Sequence, residues 1–293
     1  MMKALAGRLS ASVAFKHARK LLEYNKSDWN YPLTKIQKLF VGVYMLLRDY
    51  SSGVFPRTYD EEEQTFASEL EYAETLTTMG KTAEEIDRSA MRKPFWGTRV
   101  CTRQLGDFSS VLLAFERCGI HPPARLLEVG CGAGWMSELL VIFGYQVVAT
   151  TINSKAERHI ELRRRSMEIK GLEANLQFVQ TPMEHAYDAV KDHTPFDATF
   201  VYEALHHAHD WKAAIRSFYD CVAEGGWRFI LNEPNLVHTL VSYRVGSLSN
   251  THEIGLNPSA VRNEFRKAGF RKVLVLKNRI HGWTRPLWMA AQK

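Results

Sequence analysis

The sequence predicts an α/β fold: a mostly parallel sheet of seven strands with helices on both faces, preceded by a helical N-terminal extension. Three observations carry this. From about residue 106, short apolar runs alternate with amphipathic segments, the pattern of strands joined by crossover helices. One such run, 126–129, stops in a turn with glycines at 130, 132 and 134. Before residue 105 the apolar residues recur at three- and four-residue steps, which is helical spacing.

In the extension, Ile36, Leu39, Phe40, Val43, Leu46 and Leu47 mark one helix face, with Lys35, Lys38 and Arg48 between them. This face is expected to pack on a neighbouring domain rather than lie on a membrane. Ser51, Ser52 and Gly53, then Pro56, break the helix. The acidic stretch Asp60 to Glu63 opens a second periodic segment through Leu76, since acids in a first turn suit the helix dipole. A third helix starts near Thr82, with Glu84 and Glu85 behind it.

The sheet region gives strands at about 125–129, 146–150, 176–180, 198–202 and 228–232. Helices are expected at about 135–143, 154–170, 183–191, 211–223 and 258–268, the fourth ending at Gly225 and Gly226. Late strands at about 271–277 and 286–291 close the chain. Residues Asn250 to Glu253 read as a polar loop after strand five.

A chain of 293 residues with 45% hydrophobic content builds one large domain or a domain plus a helical extension. The net charge of +6 is spread out, with Arg163, Arg164 and Arg165 as the densest run. That run reads as a solvated helix face, so nucleic acid is not an expected partner. An acidic or phosphate-bearing substrate, or an anionic membrane surface, suits the charge. The four cysteines form no C-x-x-C pair, and no Cys/His cluster has metal-ligand spacing. Reduced thiols, a cytoplasmic protein and no metal are expected. The longest N-terminal apolar run, Leu39 to Leu47, has nine residues, against about 18 for a membrane span. A homodimer is compatible with the sequence.

The glycine turn carries the first functional argument. Glycine reaches positive φ and has no Cβ to block a ligand, and the helix that follows offers unpaired N–H groups. The dinucleotide fingerprint needs a glycine at the sixth position, where this chain has Trp135. With no Lys-Ser/Thr pair, the loop is not a P-loop either.

Glu128, Val129, Gly130, Cys131, Gly132, Ala133 and Gly134 resemble the first motif of class I S-adenosylmethionine-dependent methyltransferases. The resemblance covers roughly 106–293 and implies a Rossmann-like domain there, with 1–105 as a lid or interface. It also implies that S-adenosyl-L-methionine is the cofactor. The loop, with Cys131 and Trp135, would pass under its methionine part, and Glu128 would orient loop and amino end. At the end of strand two the family usually has a ribose-binding acid. Here Thr151 and Ile152 stand there, as in cyclopropane-fatty-acid synthases, unless Thr151 caps the next helix. After strand three, Pro182 replaces the acid that reads adenine. Met183 then meets the ring, while Glu184 shares that role or belongs to the helix start. Tyr202 to Asp210, with Glu203, His206, His207 and His209, resembles the motif that passes between cofactor and substrate. Residues 224–235 resemble the next motif, in which a Gly-Gly turn precedes the central strand.

Transfer from a sulfonium requires alignment of the partners, and a hydroxyl or acidic carbon also requires a base. His206 is the first candidate base and His207 the second, unless these histidines only pack or cap the next helix. His252 and Glu253 form another polar group over the acceptor, and Glu203 and His209 complete the substrate side. Tyr202 is also a cofactor contact, and with Trp135 and Trp283 it is a candidate for the acceptor pocket. The expected function is methylation of a small or medium metabolite (sugar, lipid or secondary-metabolite precursor), with oxygen favoured over carbon or nitrogen. The alternatives are a lipid-acting cyclopropane-type synthase, a nicotinamide-dependent oxidoreductase and a non-catalytic binding protein.

Overall fold

A computed structural model of the chain describes residues 2–27, 33–54, 61–72, 81–253, 255–277 and 286–293. The expected break at Pro56, Asp60, the helical stretch 73–76 and Trp283 lie outside the described residues. The extension contains α1 (Met2–Ala11), α2 (Lys16–Ser27), α3 (Lys35–Ser52), α4 (Glu62–Glu71) and α5 (Ala83–Arg92). Thr82 caps α5: its side chain accepts from the Glu85 amide, while the Glu85 carboxylate accepts from the Thr82 amide. The next helix, α6 (Thr98–Arg117), runs straight through the expected boundary at residue 105. Its Phe108, Val111 and Phe115 are buried in a core beneath the sheet.

The sheet contains β1 (Arg125–Val129), β2 (Gln146–Thr151), β3 (Leu176–Gln180), β4 (Phe196–Tyr202), β5 (Val222–Glu233), β6 (Lys272–Lys277) and β7 (Leu287–Gln292). Their order is β3-β2-β1-β4-β5-β7-β6, and only β7 is antiparallel to its neighbours. The connecting helices are α7 (Trp135–Ile142), α8 (Lys155–Ile169), α9 (Ala186–Val190), α10 (Trp211–Cys221), α11 (Thr239–Ser249) and α12 (Pro258–Ala268). Successive strand residues point to opposite faces. Leu126 therefore joins the core with Phe115, Leu140 and Met167, and Leu127 joins the core with Ile215, Phe218 and Phe265. Among the described residues no helix is long and apolar enough to cross a membrane. All four cysteines are free thiols.

The structure corrects three expectations and adds one helix. Gly225 and Gly226 do not end a helix: α10 stops at Cys221, and the glycines lie inside β5, where its register against β4 shifts. At Gly226 a Cβ would come 2.7 Å from the Asp197 carbonyl, so only glycine lets the strands approach there. The 183–191 helix is broken into a 3-10 turn at Met183–His185 and a short α9. Residues 239–249, unassigned from the sequence, form α11. The face expected to be buried on α3 is not its core face: Ile36 and Phe40 are exposed, while Val41, Gly42, Met45 and Asp49 are buried. The reason is the crossing with α11. A Cβ on Gly42 would sit 2.6 Å from the Leu240 carbonyl oxygen, and the Tyr243 hydroxyl donates to Asp49 at 2.7 Å.

Candidate functional site

The glycine loop leaves β1 at the carboxyl ends of the parallel strands. Gly130, Gly132 and Gly134 all have positive φ, at 76°, 54° and 72°. The amides of Gly130 and Cys131 both donate to the Thr150 carbonyl, at 2.8 and 2.9 Å, which pins the loop to β2. A Cβ on Gly130 would lie 2.5 Å from that of Ala204 and 3.2 Å from Met183 Cε. On Gly132 it would meet nothing within 4 Å. The loop is thus packed tightly at Gly130 and at Gly134, where a Cβ would run into Ile160, and open at Gly132.

Glu128 is buried beneath this loop and accepts a hydrogen bond from the Ser137 hydroxyl on α7. Burial raises its carboxyl to about 7, against the opposing pull of Ser137, Lys93 and Arg163. Arg163 corrects the expectation of a solvated Arg163–Arg165 face, because its side chain is only 1% exposed. Its Nε donates to the Ala133 carbonyl at 2.6 Å, Nη2 to the Ala90 carbonyl at 2.8 Å, and Nη1 to Glu138. One guanidinium thereby ties the glycine loop to α7 and α5. Lys93 follows α5, with its ammonium 5.6 Å from the Trp135 ring centroid. Burial lowers its pKa, partly offset by Glu203 and Glu128. Sequence reasoning assigned no role to Lys93 or Arg163. For Arg163 a signal existed: it falls on the buried stripe of α8 with Ala156, Ile160 and Met167.

The other candidate cofactor contacts fall around the loop. Thr151 and Ile152 end β2, half-buried. Thr151 does not cap α8, whose N-cap is Ser154. Met183 reaches Gly130, as above. Glu184 faces elsewhere: its Oε1 accepts from the Asp210 amide at 3.0 Å, fixing the approach to α10. The Cys131 and Trp135 side chains are buried in the core, so these residues offer the loop side only their backbone. Tyr202 is also a core residue, and its hydroxyl donates to Asp107 at 3.0 Å. Its ring and the Trp135 ring meet edge to face, 5.9 Å apart between centroids.

Beyond β4 the chain turns sharply. Glu203 has a φ of 50° and Asn232, at the end of β5, one of 57°. This left-handed region is unusual for residues other than glycine. Asn232 Nδ2 donates to Glu203 Oε1 at 2.7 Å, and Arg103 pairs with the same oxygen at 3.5 Å. Glu233 organises the next turn. Its carboxylate accepts from the amides of Ala204, Leu205 and His206 at 2.7, 2.8 and 3.2 Å, and lies 2.8 Å from His206 Nδ1. Burial alone would raise this carboxyl, but the His206 ring and those amides outweigh it and hold it below its ordinary value.

The structure brings His206, His207 and Glu253 together. The two imidazoles are 4.1 Å apart between centroids. Each turns Nε2 toward Glu253, at 3.8 Å in both cases. His207 Nδ1 lies 3.1 Å from Glu69 of α4. Burial would depress His207, but Glu69, Glu253 and Glu233 overcome it and lift the ring to about 9. His252 is not part of this group: its Nδ1 lies 2.9 Å from the Ala208 carbonyl, and its ring stacks on His209 at 6.1 Å. His209 in turn is 2.7 Å from the Thr65 hydroxyl of α4. The expectation of no metal rested on local spacing, whereas the fold gathers one ligand atom each from His206, His207 and Glu253 within 4.8 Å. Glu69 and Glu233 received no role from the sequence. Glu69 lies 138 residues before His207, a separation that leaves no local trace.

Comparison with known proteins identifies the family. A family model described as a methyltransferase domain matches residues 102–275. The chain is 27% identical over 201 residues to a ubiquinone biosynthesis O-methyltransferase of Chromobacterium violaceum, covering 63% of this chain and 82% of that protein. It is 29% identical over 149 residues to the protein of the same name from Xanthomonas axonopodis, covering 50% of this chain and 59% of that one. Among solved structures, the magnesium protoporphyrin IX methyltransferase of Synechocystis with bound S-adenosylhomocysteine superimposes with a TM-score of 0.55. The match covers 78% of this chain and 99% of that one at 14% identity, a likeness of fold.

Proposed function

The chain belongs to the class I S-adenosylmethionine-dependent methyltransferases, and from that membership we propose that it methylates a hydroxyl oxygen of a small molecule beside the His206–His207–Glu253 cluster. Membership sets aside the nicotinamide-dependent and non-catalytic alternatives. The cofactor is S-adenosyl-L-methionine, which supplies an electrophilic methyl group on a sulfonium. The residues present fit it. The main chain at Gly132 faces open space, and a buried acid, Glu128, lies beneath the same loop. In this reading Glu128 holds the amino end, Thr151 and Ile152 border the ribose, and Met183 borders the base.

The observation that carries the acceptor assignment is the closeness of loop and cluster. Ala204 packs on Gly130, and His206 is two residues further along a turn held by Glu233. A hydroxyl placed between the imidazole Nε2 edges and the loop is aligned for in-line displacement. The relatives named above, both O-methyltransferases, support oxygen as the acceptor atom. For the extension we read a cover over the acceptor side. In support, α4 contributes Glu69 to His207 and to the His252 amide, and Thr65 to His209. The test is transfer of an isotope-labelled methyl group to a panel of hydroxylated small molecules, with the product bond read by NMR. Oxygen-methylated products that diminish in His206→Ala are expected. Products methylated only on carbon or nitrogen would overturn the oxygen assignment.

A further inference from the structure

We propose that His206, His207 and Glu253 bind a first-row divalent transition-metal ion, zinc-like rather than magnesium-like, with coordination positions left for an oxygen of the acceptor. The role toward the acceptor rests on the oxygen-methylation reading, but binding of the cation does not.

Each imidazole already turns one nitrogen to a carboxylate. His206 Nδ1 is held by Glu233 at 2.8 Å and His207 Nδ1 faces Glu69 at 3.1 Å. A metal-binding histidine characteristically has its other nitrogen on a carboxylate, which fixes the tautomer and aims the ring. The His206 ring carries that arrangement, and Glu69 stands 3.1 Å from His207 Nδ1, within reach of the same role after a small rotation. Their remaining nitrogens converge on one carboxylate, Glu253, at 3.8 Å. That is too long for a hydrogen bond. It is close to the ~3.4 Å that separates neighbouring ligands of a tetrahedral ion with ~2.1 Å bonds. Small side-chain rotations would close the difference.

The surroundings are built rather than accidental. The side chains of Glu233, Glu69 and Glu253 are 0%, 10% and 13% exposed, so three carboxylates converge on two imidazoles in a poorly hydrated place. The two imidazoles lie 4.1 Å apart between centroids, close enough for one ion to reach both. Glu253 is delivered by a close approach: a Cβ on Gly246 of α11 would sit 2.9 Å from that of Glu253. Two imidazoles and one carboxylate suit zinc, manganese, iron(II) or cobalt(II), whereas magnesium and calcium prefer oxygen-only sets. Three protein ligands leave a position open for an oxygen donor.

The test titrates chelator-treated full-length protein with Zn²⁺ and with Co²⁺, following heat and the visible bands of cobalt, and titrates S-adenosylhomocysteine separately. The expected result is one ion per chain, weakened at least tenfold by Glu253→Gln and by His207→Ala, and by Glu69→Gln to a degree typical of supporting carboxylates, about 10- to 100-fold. Circular dichroism confirms that each variant is folded, and the near-isosteric Glu253→Gln guards against a merely unfolded His207→Ala. Failure of the wild type to bind either ion, or equal binding by Glu253→Gln and His207→Ala, overturns the proposal. Nucleoside binding without metal binding removes this site and spares the methyltransferase reading. Metal binding lost in these variants, with no nucleoside binding by the wild type, supports the site and counts against the cofactor assignment.

Discussion

Glu128→Gln should stabilise the protein above neutral pH while weakening its hold on the cofactor. The carboxyl is 3% exposed, and burial lifts it from 4.5 to about 7, although Ser137, Lys93 and Arg163 pull the other way. The unfolded chain releases this proton near 4.5, whereas the folded chain keeps it to about 7. Stability is therefore lost as pH rises through that window. Above it the accumulated cost is on the order of 3 kcal/mol, and below 4.5 it vanishes. Glutamine retains an acceptor for the Ser137 hydroxyl without the buried charge. Thermal melts should show little difference from the wild type near pH 5 and a gain of roughly 5 °C near pH 8. Titration with S-adenosylhomocysteine near pH 8 should give affinity on the order of tenfold lower, because a charged hydrogen bond to the ligand's amino end is gone. A melting shift of equal size at both pH values refutes the buried-charge argument. A stabilised variant that binds as tightly as the wild type removes Glu128 from the cofactor contacts.

Four further substitutions probe the same region and its support. Gly130→Ala and Gly132→Ala should separate packing from binding, since the first Cβ meets Ala204 and Met183 and the second meets nothing. Both positions have positive φ, so Gly132→Ala is expected to cost about 1–2 kcal/mol in urea melts yet abolishes nucleoside binding, while Gly130→Ala, which adds the clash with Ala204 to the same backbone strain, costs more; the opposite ranking would contradict the geometry. Arg163→Met, which removes the bonds to Ala133, Ala90 and Glu138, should lower stability by about 3 kcal/mol and loosen S-adenosylhomocysteine binding, and an unchanged calorimetric affinity would show that the clamp does not set the loop. Arg228 is fully buried, with no hydrogen-bond partner for its guanidinium among the described residues, and lies 3.4 Å over the Phe218 ring. Arg228→Met should raise the melting temperature by a few degrees, roughly 1–2 kcal/mol, and a lowered one would mean that the stacking outweighs the buried charge.

The sheet was legible because parallel strands are short apolar runs and each is closed by a local signal. Leu126 to Val129 runs into the glycine turn, Gly144 precedes β2, and Gly171 follows α8. The glycine loop, Met183 and the His206–His207 pair were legible for the same reason, each being a local string. α11 was not. Its Ser, Val and Gly246 are weak helix formers, and Gly246 is there for the approach of Glu253. The face of α3 was misjudged because apolar periodicity shows that a stripe exists but not which neighbour grips it. Gly42, the residue that allows α11 to cross, has no hydrophobicity to reveal it.

The partners that orient the cluster escaped for a different reason. α5 buries none of its residues. It is held by Asp87, which pairs with Arg158 at 2.7 Å and His159 at 3.0 Å, and by the Ala90 carbonyl bonded to Arg163. α4 reaches the histidines through Thr65 and Glu69 in the same way. Attachments of this kind are made by single polar side chains and leave no repeat of apolar residues. An acid seated on a distant imidazole reads, in one dimension, like any solvated acid. Glu69 and Glu233 therefore acquire their meaning only once α4 and β5 are placed beside the turn that carries His206 and His207. Glu233 shows how far placement governs the chemistry: its carboxyl is entirely buried, yet three amides and one imidazole keep it below its ordinary pKa. Glu128, equally buried but with one hydroxyl donor, is driven up to about 7.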